Sequence, residues 1–377
     1  MPRTSLPSCT NRLAVRKNRC ISCCTDPLAA DSPESATPID RYRGGVERRP
    51  SLDPAVAEVR GAVRHALAGL PEQATVVIGL SGGADSLAMA AATAFEAPKR
   101  GMRAIAVTVD HGLQAESADA ASAAAGQAEA LGLDARIVRV DVDRDGGPEA
   151  AARTARYGAL ADAAAATGAL AVLVGHTLDD QAETVLLGLA RGSGAASLQG
   201  MAASSELAPG VALLRPLLDV RRTTTRAACA AEALDPWDDP HNLDPRFARV
   251  RVRQNVLPVL EEELGPGIAE ALARTAAQLR EDSDAFEEMI DETIEDIVEH
   301  AEAGISVSAA ALAANPAALR HRIIRHVVSA EFGASLTRSQ TLEVARLVTD
   351  WSGQGPIDLP GCRARRIGGR VEFTAAG

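Results

Sequence analysis

Residues 74–89 read ATVVIGLSGGADSLAM, in which an apolar run gives way to two glycines, two serines and an aspartate, and then to residues that favour a helix. In such a strand-to-helix turn, backbone N–H groups point into one concavity at the positive end of the helix dipole, where an anion binds without a cationic side chain. The turn lacks the lysine with which a GxxxxGK[ST] loop reaches β and γ phosphates. A tight glycine turn with a serine cap is the alternative interpretation. The predicted phosphate-binding residues are Ser81, Gly82, Gly83, Ala84, Asp85 and Ser86.

The pattern around this turn predicts an α/β fold with a doubly wound parallel sheet. Apolar runs of strand length recur at residues 74–80, 104–109, 135–142, 169–174 and 211–214, separated by alanine-rich segments of helix length. Strands that alternate with helices in this way pair in parallel, and such sheets bind ligands at the carboxyl ends of their strands. We therefore expect the loops after the first, second and fourth runs to form one site.

Composition divides the chain into four predicted regions. Residues 1–52 mix Pro, Ser, Arg and Cys without apolar periodicity, and we expect them to be a disordered extension. Residues 53–220 carry the strand pattern and the phosphate-binding turn, and form the predicted nucleotide-binding domain. Residues 221–300 are typical of a mainly helical substrate-binding region, and residues 301–377 of a small C-terminal α(+β) domain. The cysteine cluster at 20–24 lacks a second ligand pair at zinc spacing, so we do not expect a metal site there.

Charge and hydropathy limit the classes of partner. The chain has 377 residues and a net charge of −11, which argues against indiscriminate binding of polyanions but leaves room for a local arginine patch. No apolar run approaches the roughly 20 residues that a membrane helix needs, and the N-terminus lacks a signal-peptide core. The sequence thus predicts a cytoplasmic protein with no membrane partner.

Two more groups of polar residues are candidates for the site. Asp110 and His111 end the second apolar run. His111 is predicted to contact the nucleotide or a substrate, and a histidine that only satisfies a loop carbonyl is the alternative. Arg153 and Arg156 lie on one face of a predicted helix, where they are expected to neutralise phosphate. An ordinary exposed helix face with an internal ion pair is the alternative for these arginines.

Acidic residues cluster in the stretch HTLDDQAET, residues 176–184. Asp179 lies one helical turn before Glu183, and Asp180 lies on the same face as Glu183. Their position beyond a strand end, beside a phosphate loop, favours magnesium coordination or hydrogen bonding to a base, and a solvated helix face is the alternative. His176, Asp179 and Glu183 are predicted to contact substrate.

Arginines concentrate after the last strand of the predicted sheet, where they are candidates for binding the phosphates of a nucleic acid. Pairing with the aspartates of the adjacent loop, residues 235–244, is the alternative. The predicted substrate-binding arginines of this part of the chain are Arg215, Arg249, Arg251 and Arg253.

The same segments occur, in order and spacing, in the tRNA(Ile)-lysidine synthase family, which this sequence resembles. The segments are SGGADS, VDHGLQ, PEAAARTARYGAL, GHTLDDQAETVLLGLARGSG, LLRPLL and WDDPHNLDPRFARVRVRQNVLPVLE. The likeness is strong over residues 74–280. The SGG turn alone marks only the superfamily of PP-loop ATP pyrophosphatases, whereas the HxxDDQxET and DPxNxDxRFxRxRxR patterns are far more specific.

The resemblance implies a ligase that uses ATP, Mg²⁺, free L-lysine and a tRNA(Ile) with the anticodon CAU. ATP would adenylate the C2 carbonyl oxygen of cytidine 34, and the ε-amine of lysine would then displace AMP to give lysidine. The implied catalytic residues are Asp85, Asp110, His111 and Asp180, with Asp110 or Asp180 as the first candidates for the base. Asp85 and Asp180 are the implied magnesium ligands. A homodimer is left open.

The sequence departs from the family pattern at Gln114, where the family carries a cation, and at Val250, which replaces a polar residue. Two other functions stay open. A PP-loop tRNA 2-thiolation enzyme would need a thiolate or a cluster ligand near the nucleotide, and the rim loops contain no cysteine. A non-catalytic nucleotide-binding module would bind ATP without turnover.

Overall fold

The computed structural model describes residues 52–112, 117–140, 148–192, 194–301 and 304–376, which belong to one compact unit. The predicted extension before residue 52 lies outside these ranges. A six-stranded sheet forms the first half of the unit, in the order β3-β2-β1-β4-β6-β5. Its strands are β1 (Thr75–Gly79), β2 (Arg103–Asp110), β3 (Asp134–Arg139), β4 (Ala171–Val174), β5 (Ser204–Ala208) and β6 (Val211–Leu214).

Helices flank this sheet, as the alternating pattern predicts. They are α1 (Pro54–Ala68), α2 (Ala84–Glu96), α3 (Ser117–Ala130), α4 (Pro148–Thr167), α5 (Leu178–Ala190), α6 (Ala195–Leu198) and α7 (Arg222–Ala231). The predicted doubly wound parallel sheet is confirmed, because β1 pairs in parallel with β2 on one side and with β4 on the other. The chain order reverses between β1 and β4, which makes the carboxyl ends of these two strands the topological switch point.

Strand β5 is the one element of this sheet that the sequence pattern missed. It pairs antiparallel with β6 at the edge of the sheet. Its residues, SSELA, are half-buried or exposed and have no apolar run, which explains why a search for apolar runs does not find it. By contrast, all four residues of β4 are buried, as expected of a central strand covered on both faces.

Two apolar cores cover the faces of the sheet. One contains Val76 and Ile78 of β1 with α1, α2 and part of α7. The other contains Val77 of β1 with Leu160 of α4. The alternation of β1 residues between the two cores follows from the period of two in a strand. Both faces of β1 are therefore fixed, and the turn that follows it leaves the sheet at a defined position.

Helices and a second sheet make up the remainder of the unit. The helices are α8 (Ala248–Arg251), α9 (Leu257–Leu264), α10 (Ile268–Ile297), α11 (Ala309–Ala314), α12 (Ala317–Phe332) and α13 (Arg338–Thr349). The strands are β7 (Val298–Ala301), β8 (Gly304–Ser308), β9 (Ile357–Leu359), β10 (Cys362–Ile367) and β11 (Arg370–Ala375). One π-helical turn, Val252–Val256, joins α8 to α9.

The C-terminal strands form an antiparallel sheet with its own core. The order is β7-β8-β11-β10-β9, and Phe373 and Val371 are buried among residues of α12 and α13. This core includes Ile290 and Ile297 of α10. Helix α7 packs on α1 and α2, so the segment that follows residue 220 contacts the first sheet's helices directly. Among the described residues, no helix combines the length and apolar character needed to cross a membrane.

Candidate active site

The glycine-rich turn lies between the end of β1 and the start of α2, at the switch point of the sheet. Gly82 has φ of +81°, in the left-handed region that glycine adopts without strain. Ser86 holds the turn together: its hydroxyl donates to the Gly83 carbonyl at 3.0 Å and accepts from the Ser81 N–H at 3.2 Å. Ser81 is exposed, whereas Ser86 is buried. The Ser86 hydroxyl proton is thus used inside the turn, and the exposed Ser81 hydroxyl donates to Ser86 Oγ at 3.0 Å.

The first turn of α2 is open toward its N-terminal side. Its N-cap is Gly83, which has no side chain to accept from the first N–H groups of the helix. Such groups carry the partial positive charge of the helix terminus and favour an anion. The turn and the helix start together have the geometry of a phosphate cradle without a lysine.

Asp85 lies in the first turn of α2, beside this cradle. The Thr225 hydroxyl of α7 donates to its carboxylate, and Arg222 Nε lies 3.4 Å from its Oδ2. Burial raises the pKa of Asp85; Thr225 and Arg222 oppose the shift, and the charge of Asp180 adds to it. A carboxylate held above its ordinary pKa is poorly neutralised, so this position would gain from an added cation.

Gly175 lets the end of β4 approach the start of α2. A Cβ atom at this position would lie 3.0 Å from the Asp85 carbonyl carbon and 3.0 Å from the Ser86 backbone nitrogen. Both neighbours are backbone atoms, so they cannot rotate away as a flexible side chain can. The lack of a side chain at residue 175 therefore allows β4 to approach the phosphate cradle this closely.

We expect Gly175→Ala to displace the start of α2 and to weaken ATP binding by at least about tenfold, with a stability loss of about 1–3 kcal/mol from overpacking. Gly158→Ala is the matched control, because nothing lies within 4 Å of its Cβ position on α4. Titration calorimetry with ATP and thermal unfolding measure the two effects. Wild-type ATP affinity in Gly175→Ala would contradict the close approach.

Arg222, at the start of α7, gathers the acidic residues of the site. Its guanidinium lies 2.9 Å from Asp180 Oδ1 and 3.3 Å from Glu183 Oε1. Its backbone N–H donates to Asp179 at 2.7 Å. With the Asp85 contact, one arginine therefore touches all four acids. Burial opposes the charge of Arg222, but these carboxylates outweigh it and raise the pKa of Arg222.

Three more arginines complete the cluster. Arg253 lies 2.7 Å from Glu183 through Nε and 3.5 Å from Asp180, and Arg249 lies 3.6 Å from Glu183. Arg249 also donates to the Thr184 hydroxyl at 2.9 Å. Arg221 joins Asp179, at 3.2 Å, to Glu270 of α10. Glu183 is fully buried, so its charge depends on these partners.

Both carboxylate oxygens of Asp180 are engaged. Its Oδ2 accepts from the Thr177 N–H at 2.8 Å and from the Thr177 hydroxyl at 2.9 Å, which forms a capping box at the start of α5. Its Oδ1 pairs with Arg222. Burial would raise the pKa of Asp180, but Arg222 and Thr177 outweigh burial and lower it. Asp180 is thus a poor proton acceptor, and its oxygens are already used.

Asp110 and His111 lie at the carboxyl end of β2, as predicted. Asp110 accepts a hydrogen bond from the Gly112 N–H at 3.0 Å. This bond and a second one from the Ser117 hydroxyl lower the pKa of Asp110. Burial and the nearby charge of Arg156 lower the pKa of His111. Among the described residues, the buried Nδ1 of His111 has no hydrogen-bond partner. His111 is thus a neutral imidazole with one ring nitrogen available.

A second imidazole, His176, lies among cations. The pKa of His176 is lowered to about 4, mainly by burial. The charge of Asp180 raises this pKa, and the charges of Arg215, Arg153 and Arg249 lower it. Arg215 is buried and donates to the Ala202 carbonyl at 2.7 Å. In the described part of the chain, His176 Nδ1 and Arg215 Nε are buried without a partner. This surface of His176 and three arginines is suited to an anionic group.

Some arginines on either side of the loop before α8 pair with aspartates of that loop. Arg226 pairs with Asp238 at 2.7 Å, and Arg246 pairs with Asp244 at 2.6 Å. Arg251 is exposed and donates to the backbone carbonyls of Pro245 and Arg246. Carbonyl oxygens do not neutralise a guanidinium, so Arg251 keeps its charge on the surface.

Cys229 is the cysteine that lies beside the phosphate turn in the described ranges. The Cys229 thiol donates to the Ala84 carbonyl at 3.3 Å, and burial raises the pKa of Cys229 to about 11. It is therefore a protonated thiol that supports the phosphate turn from behind. Within the ranges that the structure describes, no group of three or more His, Cys, Asp or Glu residues could hold a metal ion. The cysteines near residue 20 lie outside those ranges.

The sequence did not identify Thr225 or Gly175 as site residues, and it did not place Arg222 beside the acids. Arg222 and Thr225 are far from Asp85 in the chain, separated by 137 and 140 positions, so no local spacing joins them. The signal for Gly175 was present, since a glycine directly after a buried strand indicates a close approach of backbone. The predicted Asp85, Asp179, Asp180, Glu183, Arg249 and Arg253 do lie together.

The fold and the site define a PP-loop nucleotide-binding protein. A family model described as the PP-loop domain matches residues 57–260, and one described as the TilS substrate binding domain matches residues 308–371. The chain is 61% identical over 302 residues to the tRNA(Ile)-lysidine synthase of Leifsonia xyli subsp. xyli. The aligned part is 80% of this chain and 90% of that relative. The chain belongs to the tRNA(Ile)-lysidine synthase family.

Other relatives agree with this placement. The chain is 52% identical over 327 residues to the tRNA(Ile)-lysidine synthase of Salinispora tropica, with 85% of this chain and 97% of that relative covered. Among solved structures, the U34-tRNA thiolase NcsA from Methanococcus maripaludis matches with a TM-score of 0.52 and 23% identity, over 60% of this chain and 79% of that one. At this identity the likeness shows the shared fold alone.

Proposed function

We propose that this protein ligates L-lysine to C2 of cytidine 34 in the CAU anticodon of tRNA(Ile), with release of pyrophosphate and AMP, to give lysidine. The observation that carries the proposal is the lysine-free phosphate cradle at residues 81–86, placed beside the acid–arginine cluster in a chain of this family. The test is incubation with ATP, labelled lysine and a CAU-anticodon transcript. Label in the tRNA is the expected result, and label in a GAU-anticodon control transcript would contradict it.

The first step joins the α phosphorus of ATP to O2 of cytidine 34 and breaks the bond between the α and β phosphates. The backbone N–H groups at the start of α2 and the Ser81 hydroxyl hold the departing pyrophosphate in this proposal. Ser86 keeps the turn in shape through its bond to the Gly83 carbonyl. The product carries AMP on O2, which makes C2 of the base reactive toward an amine.

In the second step the neutral ε-amine of lysine attacks C2, AMP leaves with O2, and the amine loses a proton. An ordinary lysine amine has a pKa near 10.4, so its proton must be removed or disfavoured. The arginines around Glu183 and Asp180 are paired with these acids, so burial of the amine in the site, which disfavours its charged form, is the proposed cause of a lower amine pKa. Asp110 and Asp180 are the proposed acceptors of this proton, and their lowered pKa values mean that either would pass it on to water rather than retain it.

The cationic surface around His176 is the proposed position for an anionic part of a substrate. Arg153 is exposed and its guanidinium lies 5.1 Å from the centre of the Tyr157 ring, which holds it beside Arg215. The partnerless ring nitrogen of His176 would accept or donate one hydrogen bond without carrying charge at pH 7. Arg156, near His111, extends the same surface toward β2.

Magnesium fits this site through Asp85. A protein site for Mg²⁺ commonly supplies one or two carboxylates, and substrate phosphates and water supply the remaining ligands. The raised pKa of Asp85 and its position beside the cradle suit that role. Asp180 fits less well, because its Oδ2 accepts two hydrogen bonds from Thr177 and its Oδ1 lies 2.9 Å from Arg222, whereas Asp85 Oδ2 has only the longer 3.4 Å contact with Arg222. When bound, the ion would neutralise charge on the ATP phosphates.

Exposed arginines are the proposed contacts to tRNA phosphates. We expect Arg251→Gln to lower the salt dependence of tRNA binding by about one unit in the slope of log K against log salt, since one phosphate contact is lost. Fluorescence anisotropy with labelled tRNA at several salt concentrations measures the slope. Arg103→Gln is the control, because Arg103 pairs with Asp134 at the amino ends of β2 and β3, whereas the candidate site lies at the carboxyl ends of the strands. Equal slopes for wild type and Arg251→Gln would remove Arg251 from the interface.

Two alternatives predict different results. A 2-thiolation enzyme that used the cysteines near residue 20 would lose activity when residues 1–50 are deleted, whereas we expect lysine ligation to be retained. A non-catalytic nucleotide-binding module would release no pyrophosphate. We expect pyrophosphate release that depends on tRNA and is completed by lysine.

A further inference from the structure

The phosphate turn is held from its outer side by a loop that follows α7. The Trp237 backbone N–H donates to the Gly82 carbonyl at 3.0 Å. The same segment of chain reaches two more groups of the turn, since Cys229 donates to the Ala84 carbonyl and Thr225 donates to Asp85. Three contacts from residues 225–237 therefore set the shape of a turn that lies far earlier in the chain.

Gln127, on α3, fixes this loop in place. Its side-chain Nε2 donates to the Asp235 carbonyl at 2.8 Å, and its Oε1 accepts from the Asp235 N–H at 2.9 Å. The Gln127 amide thus binds both the carbonyl and the N–H of Asp235, and we call this pair of hydrogen bonds the two-point hold. Ala124 lies one helical turn before Gln127 and contacts the glycine turn, because a Cβ at Gly82 would lie 3.2 Å from the Ala124 Cβ. The same face of α3 touches both the loop and the turn.

The bond from Trp237 controls the direction of one peptide group. In a trans peptide the carbonyl and the following N–H point in opposite directions. The Gly82 carbonyl points toward Trp237, so the Gly83 N–H points to the other side of the turn. Gly82 has φ of +81° and no side chain, so the peptide that follows it rotates more freely than one after another residue. A rotated peptide would present an oxygen, which repels phosphate, in place of the N–H.

We infer that Gln127 is a positioning residue for ATP: with the Trp237 N–H, it keeps the Gly82–Gly83 peptide in the orientation that presents an N–H to the phosphates. This inference rests on the proposed use of residues 81–86 as the phosphate site. The loop at residues 235–239 precedes the arginines proposed to contact tRNA. A shift of this loop on tRNA binding would therefore reach the ATP phosphates through one hydrogen bond, which links the two substrates.

The test compares variants that remove the hold with variants that keep it. Trp237→Pro removes the backbone N–H, whereas Trp237→Ala keeps it and removes only the side chain. Gln127→Leu removes the two-point hold, and Glu129→Gln is the control on an exposed position of the same helix. The measured quantities are KM for ATP, KM for lysine, kcat and the Kd for ATP with Mg²⁺ from titration calorimetry.

We expect Gln127→Leu and Trp237→Pro to raise KM and Kd for ATP about tenfold, the factor that corresponds to one hydrogen bond of ordinary strength. The KM for lysine and the melting temperature should stay near wild-type values, and Trp237→Ala and Glu129→Gln should behave as wild type. Unchanged ATP affinity in folded Gln127→Leu and Trp237→Pro would overturn the inference. An equal rise of every KM together with a lower melting temperature would overturn it as well, because it would indicate general destabilisation.

The calorimetric Kd separates this inference from the proposed function. If the wild-type protein binds ATP but forms no AMP with tRNA and lysine, the proposed ligation is wrong. The difference in ATP Kd between Trp237→Pro and Trp237→Ala would still decide whether the peptide orientation matters.

Discussion

Asp85→Asn should reduce tRNA-dependent AMP formation by at least about 100-fold, the lower range for loss of a positioned charged group in catalysis. The change removes the carboxylate beside the phosphate cradle but keeps the shape of the side chain and its contact with Thr225. Loss of this charge also removes the proposed magnesium ligand. Rapid-quench measurement of AMP from labelled ATP gives the rate.

The same variant should be at least as stable as the wild type. Burial raises the pKa of Asp85 in the folded protein, and a group with a raised folded pKa contributes most stability below its unfolded pKa and loses that stability as pH rises through the folded pKa. At neutral pH the ionised Asp85 is therefore a cost that asparagine avoids. Asp134→Asn, at an exposed ion pair on β3, is the control for activity. Wild-type turnover in Asp85→Asn would remove Asp85 from the reaction.

Arg222→Met should destabilise the protein by about 3–5 kcal/mol, the usual result of removing one partner from a buried ionic group. The variant leaves Asp180 and the fully buried Glu183 with fewer cations and removes a contact to Asp85. Chemical denaturation at pH 7 measures the free energy of unfolding. Arg103→Met is the control, since its pair with Asp134 is exposed and such pairs contribute about 0–1 kcal/mol.

The pH dependence of this loss has a defined sign. The lowered folded pKa of Asp180 contributes stability above the unfolded pKa, and that stability is lost as pH falls through the folded value. Without Arg222 the pKa of Asp180 should rise, and acid then neutralises the unpaired carboxylate. The difference between wild type and Arg222→Met should therefore shrink as pH falls from 7 toward 4. A difference that grows at low pH, or a loss equal to that of Arg103→Met, would contradict the assigned pairing.

Local patterns in the sequence were enough to predict the sheet and the phosphate turn. The strands β1, β2 and β4 are apolar runs, and the glycines and serines of residues 81–86 are adjacent in the chain, so the sheet and the position of the turn follow from spacing alone. Strand β5 was missed because an edge strand with polar residues has no apolar period. The sequence also placed the acids near the cradle, which followed from their position after a strand end.

The partners of those acids could not be predicted in the same way. Carboxylates on one helix face suggested metal binding, but their charge is balanced by Arg222, Arg249 and Arg253, which come from α7 and the segment around α8. Ion pairs between residues some 40 to 70 positions apart depend on how α7 and α8 pack against α5. The Gln127 contact with Asp235, 108 positions away, has the same origin. Tertiary packing, and not local spacing, decides these contacts.

In the proposed reaction, a helix start without a lysine binds the β and γ phosphates of ATP while the O2 atom of a tRNA cytidine takes the α phosphate. The most direct test follows α-phosphate-labelled ATP in a reaction with the CAU-anticodon tRNA and lysine, with nucleoside mass analysis of the same tRNA. We expect labelled AMP in a one-to-one ratio with lysidine. Labelled ADP, or AMP without any change in the mass of the tRNA nucleosides, would contradict the claim.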